Sequence, residues 1–387
     1  MNRPAPAVGL ALGYAAYFTV LGVLVPFWPV WLHARGMGGS EIGLLVAAGV
    51  WIRVVGGPLA GHVADLLGRR RRPIVVLAWS ACLVFTLYPL CGGFWSLMAV
   101  SLAFGIATTS VLPLADSLTM LVVAGRGGSY GRVRLWGSLA FLAAAALAGL
   151  ALERLPPDAV WAIALGLLCG HAAVSMLLPE VRTPPSPGGG MPLRRLLRVR
   201  GLVAVVAGAS LVQGGHAMYY GFSTLHWQAS GIPSGTIGML WAIGVVAEIA
   251  LFSWRGLVVR LGAGGLLLLG GLGGAVRWSL TAATTDVGAL VVLQTLHALT
   301  FGATHLGAVA YVARALPAEL SASGQALYSG VGSGLVLGLA LAAAGPLYEA
   351  MAGRAYLVMA AMSVAGLLVV ARGLARGRRL EWPWRRR

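Results

Sequence analysis

The sequence predicts an all-α, multi-pass membrane protein, and three observations carry that expectation. Of 387 residues, 58% are hydrophobic and only 10% are charged, against about 25% charged in ordinary soluble domains. Apolar runs of 18 or more residues recur along the whole chain, each long enough to cross roughly 30 Å of hydrocarbon. All 28 basic residues are arginine, and they fall in alternate loops, as the positive-inside rule requires of a chain that crosses repeatedly.

Apolar runs read against breakers place spans near 7–32, 40–64, 73–92, 95–122, 132–152 and 158–178. A second set lies near 202–227, 235–255, 262–284, 287–312, 322–346 and 354–372. The first run lacks a small-residue cleavage site and is too long for a signal sequence, so it is expected to remain as a helix. Between the sets lies EVRTPPSPGGGMPLRRLLRVR, whose Pro and Gly mark a flexible linker. The expected organisation is therefore twelve helices in two bundles, residues 1–180 and 201–387, joined by a cytoplasmic linker over 181–200. Both termini are placed in the cytoplasm, together with 23 of the 28 arginines and the basic tail. Arg35, Arg154 and Arg354 face outward, while Arg53 and Arg277 lie inside spans. The net charge of +17 thus reports topology in a lipid bilayer rather than a nucleic-acid partner. Cys82, Cys91 and Cys169 are odd in number and without metal spacing, and are expected to be inert.

The two halves resemble each other. EIGLLVAAGVWIR, from Glu41, aligns without gaps on TIGMLWAIGVVAE, from Thr236, and its last pair is Arg53 against Glu248. Such a parallel repeat resembles the major facilitator superfamily, whose substrates bind near the midplane. GHVADLLGRRRR, from Gly61, resembles that superfamily's cytoplasmic loop signature through Gly61, Asp65, Gly68, Arg69 and Arg70. The glycines allow close helix approach and a tight turn, and the charges suit a cytoplasmic gate; a plain positive-inside loop would need only the arginines. The matching loop of the second half, RGLVVRLGAGG, is degenerate.

Polar residues in the spans fall into arcs. At 100° per residue, Gln213, His216, Tyr219, Tyr220, Ser223, Thr224 and Trp227 share about 140° of span 7. Gln294, His297, Phe301 and His305 share roughly 80° of span 10. Thr108, Thr109, Asp116 and Thr119 do likewise in span 4, and span 1 carries Tyr14, Tyr17, Phe18 and Trp28. Polar groups facing lipid would go unsatisfied, so these arcs must face protein or water. Either a substrate cavity or hydrogen bonding between helices would satisfy them. His171 and His226 stand apart and read as packing or surface residues. Arg53, Asp116, Glu248 and Arg277 are charges inside spans, which are expensive there and mark function or fixed ion pairs. Arginine stays protonated, so any proton carrier must be Asp116, Glu248 or a histidine.

GYAAYFTVLGVLVPFWPVWL, LPLADSL, YGRVRLWGS, QGGHAMYYGFSTLHWQASG, WAIGVVAE, VRWSLTAATT and LHALTFGATHL together resemble the bacterial 3-phenylpropionic acid transporter family. That resemblance implies the twelve-helix fold, a bacterial inner-membrane location and proton-driven uptake of phenylpropanoid acids. A more distant similarity runs to lactose permease and the oligosaccharide–proton symporters. It implies that Asp116 and Arg134 hold substrate, that Phe141 stacks under it, and that Arg277 and His297 serve coupling. The coupling glutamate of that family is Thr300 here, so the carrier is expected to have moved, with Glu248 first and Asp116 second.

The mechanism expected is symport of a small anionic aromatic substrate by a monomer that alternates access. The carboxylate would pair with Arg134 or Arg277 while its ring packs on Tyr219, Tyr220 and Phe141, with His216, His297 and His305 lining the site. Glu248, Asp116, His297 and Arg53 are the expected coupling set. A sugar or nucleoside symporter and a drug–proton antiporter remain rival readings of the same fold. An intramembrane enzyme is disfavoured, since the chain has no HExxH, CxxC, serine elbow or cofactor fingerprint. No cofactor is expected beyond the coupling ion, and no signalling domain is appended for a sensor.

Overall fold

Every regular element among the described residues of the computed structural model is helical. Those residues are 5–126, 129–181, 193–199 and 201–378, without the side chains of 53, 57, 58, 60–62, 65, 67, 124–126, 318, 319, 322, 377 and 378. The first half holds α1 (Pro6–Ala34), α2 (Gly39–Leu67), α3 (Arg71–Phe85), α4 (Phe94–Thr109), α5 (Val111–Arg126), α6 (Tyr130–Leu152) and α7 (Ala159–Ser175). After a short α8 (Leu193–Leu197) come α9 (Leu202–Gly214), α10 (Ala217–Ala229), α11 (Ser234–Ser253) and α12 (Arg255–Thr281). The chain closes with α13 (Val287–Thr295), α14 (Thr304–Ala315), α15 (Ala318–Tyr328), α16 (Leu337–Met351) and α17 (Tyr356–Arg378). Ten stretches of the described residues are long and apolar enough to cross a membrane. One of them, Ser323–Arg376, has the length of two crossings and is divided by a 3-10 turn at Ala352–Ala355. Ala159–Ser175 is a shorter apolar helix.

Several expected spans are interrupted, and each interruption resets the direction of the side chains beyond it. Span 4 breaks at Ser110, whose hydroxyl donates to the carbonyl of Gly56 at 2.8 Å, so α4 and α5 meet at a joint held by α2. Span 7 breaks between Gly214 and Ala217. The expected polar arc assumed an unbroken helix, and it is not a face: both its polar and its apolar residues are buried, from Gln213 to Tyr219. Span 10 widens into a π-helical turn over Ala298–Ala303, and Ser329–Val336 does the same between α15 and α16. Single π turns inside α-helices recur at functional sites because the extra residue redirects side chains.

By contact the chain divides into two units. One is residues 1–189 with 220–242; the other is 190–219 with 243–387. In the first, α1 packs along α6 and α7, and Leu10, Tyr14 and Phe18 join Leu114, Leu118 and Val133 in its core. In the second, α9, α12 and α17 pack together around Leu202, Val205, Val206, Leu267 and Val370. The outer surfaces carry exposed Val76, Leu83, Leu147, Val259 and Val292. Large apolar side chains facing outward are what a lipid solvent calls for.

Candidate functional site

Two arginine-centred clusters emerge, one in each unit. In the first, α1, α5 and α6 converge because α1 and α6 touch backbone to backbone. A Cβ on Gly22 would lie 2.6 Å from the carbonyl oxygen of Phe141. Asp116 on α5 accepts hydrogen bonds on one oxygen from the phenols of Tyr14, at 2.5 Å, and Tyr130, at 2.9 Å. Arg134 lies one helical turn beyond Tyr130. Its guanidinium sits 3.8 Å above the ring of Phe18 and 5.7 Å from that of Tyr14, within cation–π range. Gly137 leaves room for this stack, since a Cβ there would meet Phe18 Cδ2 at 2.7 Å and Arg134 Nη1 at 2.9 Å. Arg134 Nη1 is buried and has no hydrogen-bond partner among the described residues. Phe141, half-buried, packs against the same cluster. Thr108 and Thr119 turn back to carbonyls of their own helices, so those two do not contribute.

The second cluster is built around Arg277 on α12, which is fully buried. Its Nη2 donates to Gln294 Oε1 at 2.8 Å; its Nη1 donates to Thr300 Oγ1 at 3.0 Å and His297 Nδ1 at 3.1 Å. The guanidinium also stacks 4.4 Å from Trp278 and 4.9 Å from Tyr219. Arginine can only donate, so His297 Nδ1 must be an acceptor, and the ring proton is on Nε2. That Nε2 faces Glu248 Oε2 at 4.0 Å, too long for a hydrogen bond but within ion-pair reach. Gly244, one turn before Glu248, admits the His297 ring; a Cβ there would meet His297 Cβ and Cγ at 3.4 Å. His216 is fixed in the same way. Its Nδ1 donates to the Gln213 carbonyl at 3.0 Å, and its Nε2 lies 3.0 Å from the Thr300 hydroxyl. Proton polarity therefore runs outward from Arg277 along both branches, and the histidines are neutral links in it.

The structure brings together Asp116 and Arg134 with Phe141, and separately His216, Tyr219, Arg277 and His297 with Glu248. Two expected residues stand outside these groups. Tyr220 stacks on Trp241 at 6.1 Å, in the first unit. His305 is exposed; it stacks on Phe301 and lies tilted against Tyr328, each at 6.0 Å. The side-chain surroundings of Arg53, Gly61 and Asp65 lie outside the described residues. Gly68 has φ +60°, the turn its motif position implies. Arg70 donates to Ala64 O at 2.7 Å and Ser117 Oγ at 3.2 Å, so it caps the end of α2 and ties it to α5 one residue past Asp116. Cys82 and Cys169, expected to be inert, lie with their sulfurs 2.7 Å apart. Sequence reasoning missed Tyr130 and Trp278 as members of the clusters. Each carries a signal: Tyr130 is four residues before Arg134, and Trp278 adjoins Arg277.

Among the described residues every regular element is helical, and the membrane-length apolar stretches around buried polar clusters define a multi-pass membrane protein. Residues 8–358 match the MFS_1 like family, and the chain belongs to that family within the major facilitator superfamily. Over 374 residues it is 34% identical to the "Probable 3-phenylpropionic acid transporter" of Escherichia coli K12, covering 93% of this chain and 96% of that protein. The maltose permease of Geobacillus stearothermophilus is 28% identical, covering 93% of this chain and 92% of its own length. Among solved structures, the nucleoside transporter NupG superposes with a TM-score of 0.82 at 15% identity, over 96% of this chain and 99% of that one. At that identity the likeness concerns the fold alone.

Proposed function

We propose that this protein is a twelve-span, proton-coupled uptake carrier for a small aromatic carboxylate of the phenylpropanoid class, working as a monomer in a bacterial inner membrane. The observation that carries the substrate class is Arg134. Its neighbour Asp116 is already engaged by two phenols, while its own buried Nη1 has no partner among the described residues. A buried donor on a cation is costly until something accepts from it, and an incoming carboxylate does so with charge assistance. The rings of Phe18 and Tyr14 against that cation, with Phe141 packed on the same cluster, favour an aromatic body behind the carboxylate. The printed name of the Escherichia coli relative supports the same class. Arg277 is the weaker anchor, because three side chains already occupy both its terminal nitrogens.

Glu248 is the proton carrier in this reading. His297 accepts from Arg277 on Nδ1 and so would have to break that bond, beside a fixed cation, to take a second proton. Glu248 lies next in the chain and needs no such rearrangement. A proton on Glu248 and a carboxylate on Arg134 would then favour the same transport-competent state, which is what symport requires. Both termini face the cytoplasm, and the loop of Gly61, Asp65, Gly68, Arg69 and Arg70 belongs to the gate on that side.

Counterflow of labelled 3-phenylpropionate in proteoliposomes tests the reading. Wild type is expected to exchange it and to accumulate it when a proton gradient is imposed. Glu248→Gln is expected to keep exchange and lose accumulation. Exchange of maltose or a nucleoside, with none of aromatic acids, would overturn the substrate class; uphill uptake by Glu248→Gln would overturn the carrier.

A further inference from the structure

At the arginine-poor end of the molecule, α6 and α11 lie in backbone contact. A Cβ on Gly149 would meet Ser234 O at 2.5 Å and the Cα atoms of Gly238 and Gly235 at 3.1 and 3.2 Å. One on Gly238 would meet the carbonyl carbon of Ala145 at 3.2 Å and the Cα of Ala146 at 3.3 Å. Ala145, Gly149 and Glu153 are spaced four residues apart, so they share one face of the α6 rod and its end. Glu153, immediately after α6, uses Oε1 to accept the backbone N–H of Gly235 at 2.9 Å. That amide belongs to the first turn of α11, where N–H groups have no partner in their own helix and the helix end is positive. The carboxylate thus clasps a helix 82 residues further along the chain.

Two features make this contact a releasable one. Small residues meet backbone to backbone without interlocking side chains, so the helices can part without any side chain having to repack. Glu153 is itself exposed, so water can replace the amide as the contact opens. A crevice of about 550 Å³, lined by Leu152, Glu153, Gln228, Gly231, Ile232 and Ser234 among others, reaches the bond. Within it Gln228 Nε2 donates to Ser234 Oγ at 2.9 Å and steadies the turn before α11.

We propose that Glu153 is the latch of the outer gate: its bond to Gly235 holds α6 and α11 together at that end, and the transport cycle breaks and remakes it. The proposal rests on the carrier reading, yet its test needs no substrate, so the two can fail separately. Full-length protein with Cys82, Cys91 and Cys169 replaced by serine and with I232C introduced is placed in lipid nanodiscs. The rate of labelling by a membrane-impermeant maleimide is then measured. Glu153→Ala is expected to speed labelling about tenfold, as loss of one charge-assisted hydrogen bond implies, with Glu153→Gln in between. Gly238→Val, which holds the helices apart, should raise the rate by itself and leave Glu153→Ala nothing to add. A control cysteine in place of Ala148, buried in the body of α6, should label at an unchanged rate in every variant. Wild-type labelling in Glu153→Ala would overturn the latch. So would equal acceleration at the Ala148 control, since general loosening rather than a gate would then be the cause.

Discussion

Arg134 and Arg277 are the same residue in similar seats, each with its guanidinium over aromatic rings, and they end in opposite roles. Arg277 has both terminal nitrogens engaged, by Gln294, Thr300 and His297, and forms part of the framework of its half. Arg134 keeps a buried donor without an acceptor among the described residues. The contrast teaches that a buried charge in a membrane helix is not by itself a binding residue. What decides is whether the surrounding helices already satisfy it.

Substitutions can break this contrast, and the largest effect is expected at the arginines themselves. Arg134→Ala should weaken binding of aromatic acids at least a hundredfold, about 3 kcal/mol, by calorimetry on purified protein, while thermal stability changes little. Arg277→Ala should do the reverse. It strands the polar partners of the guanidinium and should cost about 2–5 kcal/mol of stability, visible as a lowered unfolding midpoint, with binding kept by the folded fraction. Equal stability losses in the two variants would erase the distinction.

The next effect sharpens the role of the histidine. His297→Gln can still accept from Arg277 and donate toward Glu248, so proton-driven accumulation should fall by less than about tenfold. His297→Phe can do neither and should abolish it. Complete loss in His297→Gln would make the histidine itself the carrier.

Smaller again is Gly137→Ala. The added methyl group pushes Phe18 off the guanidinium, and overpacking of this kind costs about 1–3 kcal/mol. Affinity should drop more than in a control such as Ala148→Gly on the same helix. Tyr130→Phe is the mildest, removing one of two phenols from Asp116, with about 1–2 kcal/mol at stake. Tyr14→Phe should cost more, because its bond to the carboxylate is the shorter.

Much of this was legible in the residues. Apolar runs and arginine placement mark the helices because lipid penalises any other pattern, and the motifs YGRVRLWGS and LHALTFGATHL point at Arg134 and His297. The grouping of span 7 was not legible. A uniform 100° per residue carried Tyr220 along with Tyr219, whereas the break after Gly214 separates them: Tyr219 lies against Arg277 and Tyr220 against Trp241. Nor does spacing reveal that His305, two turns after His297, lies outside the cluster, or that Cys82 finds Cys169.

Composition and charge order alone determined that this chain crosses a membrane many times and which buried charges deserve a role. Those are properties of one helix at a time, set by what lipid tolerates along its length. Only the tertiary structure decided which arginine has both terminal nitrogens engaged by neighbouring side chains and which keeps a buried one without an acceptor among the described residues. Those hydrogen bonds depend on partners from several helices: Gln294, His297 and Thr300 around Arg277, with Tyr14 and Tyr130 donating to the Asp116 carboxylate beside Arg134.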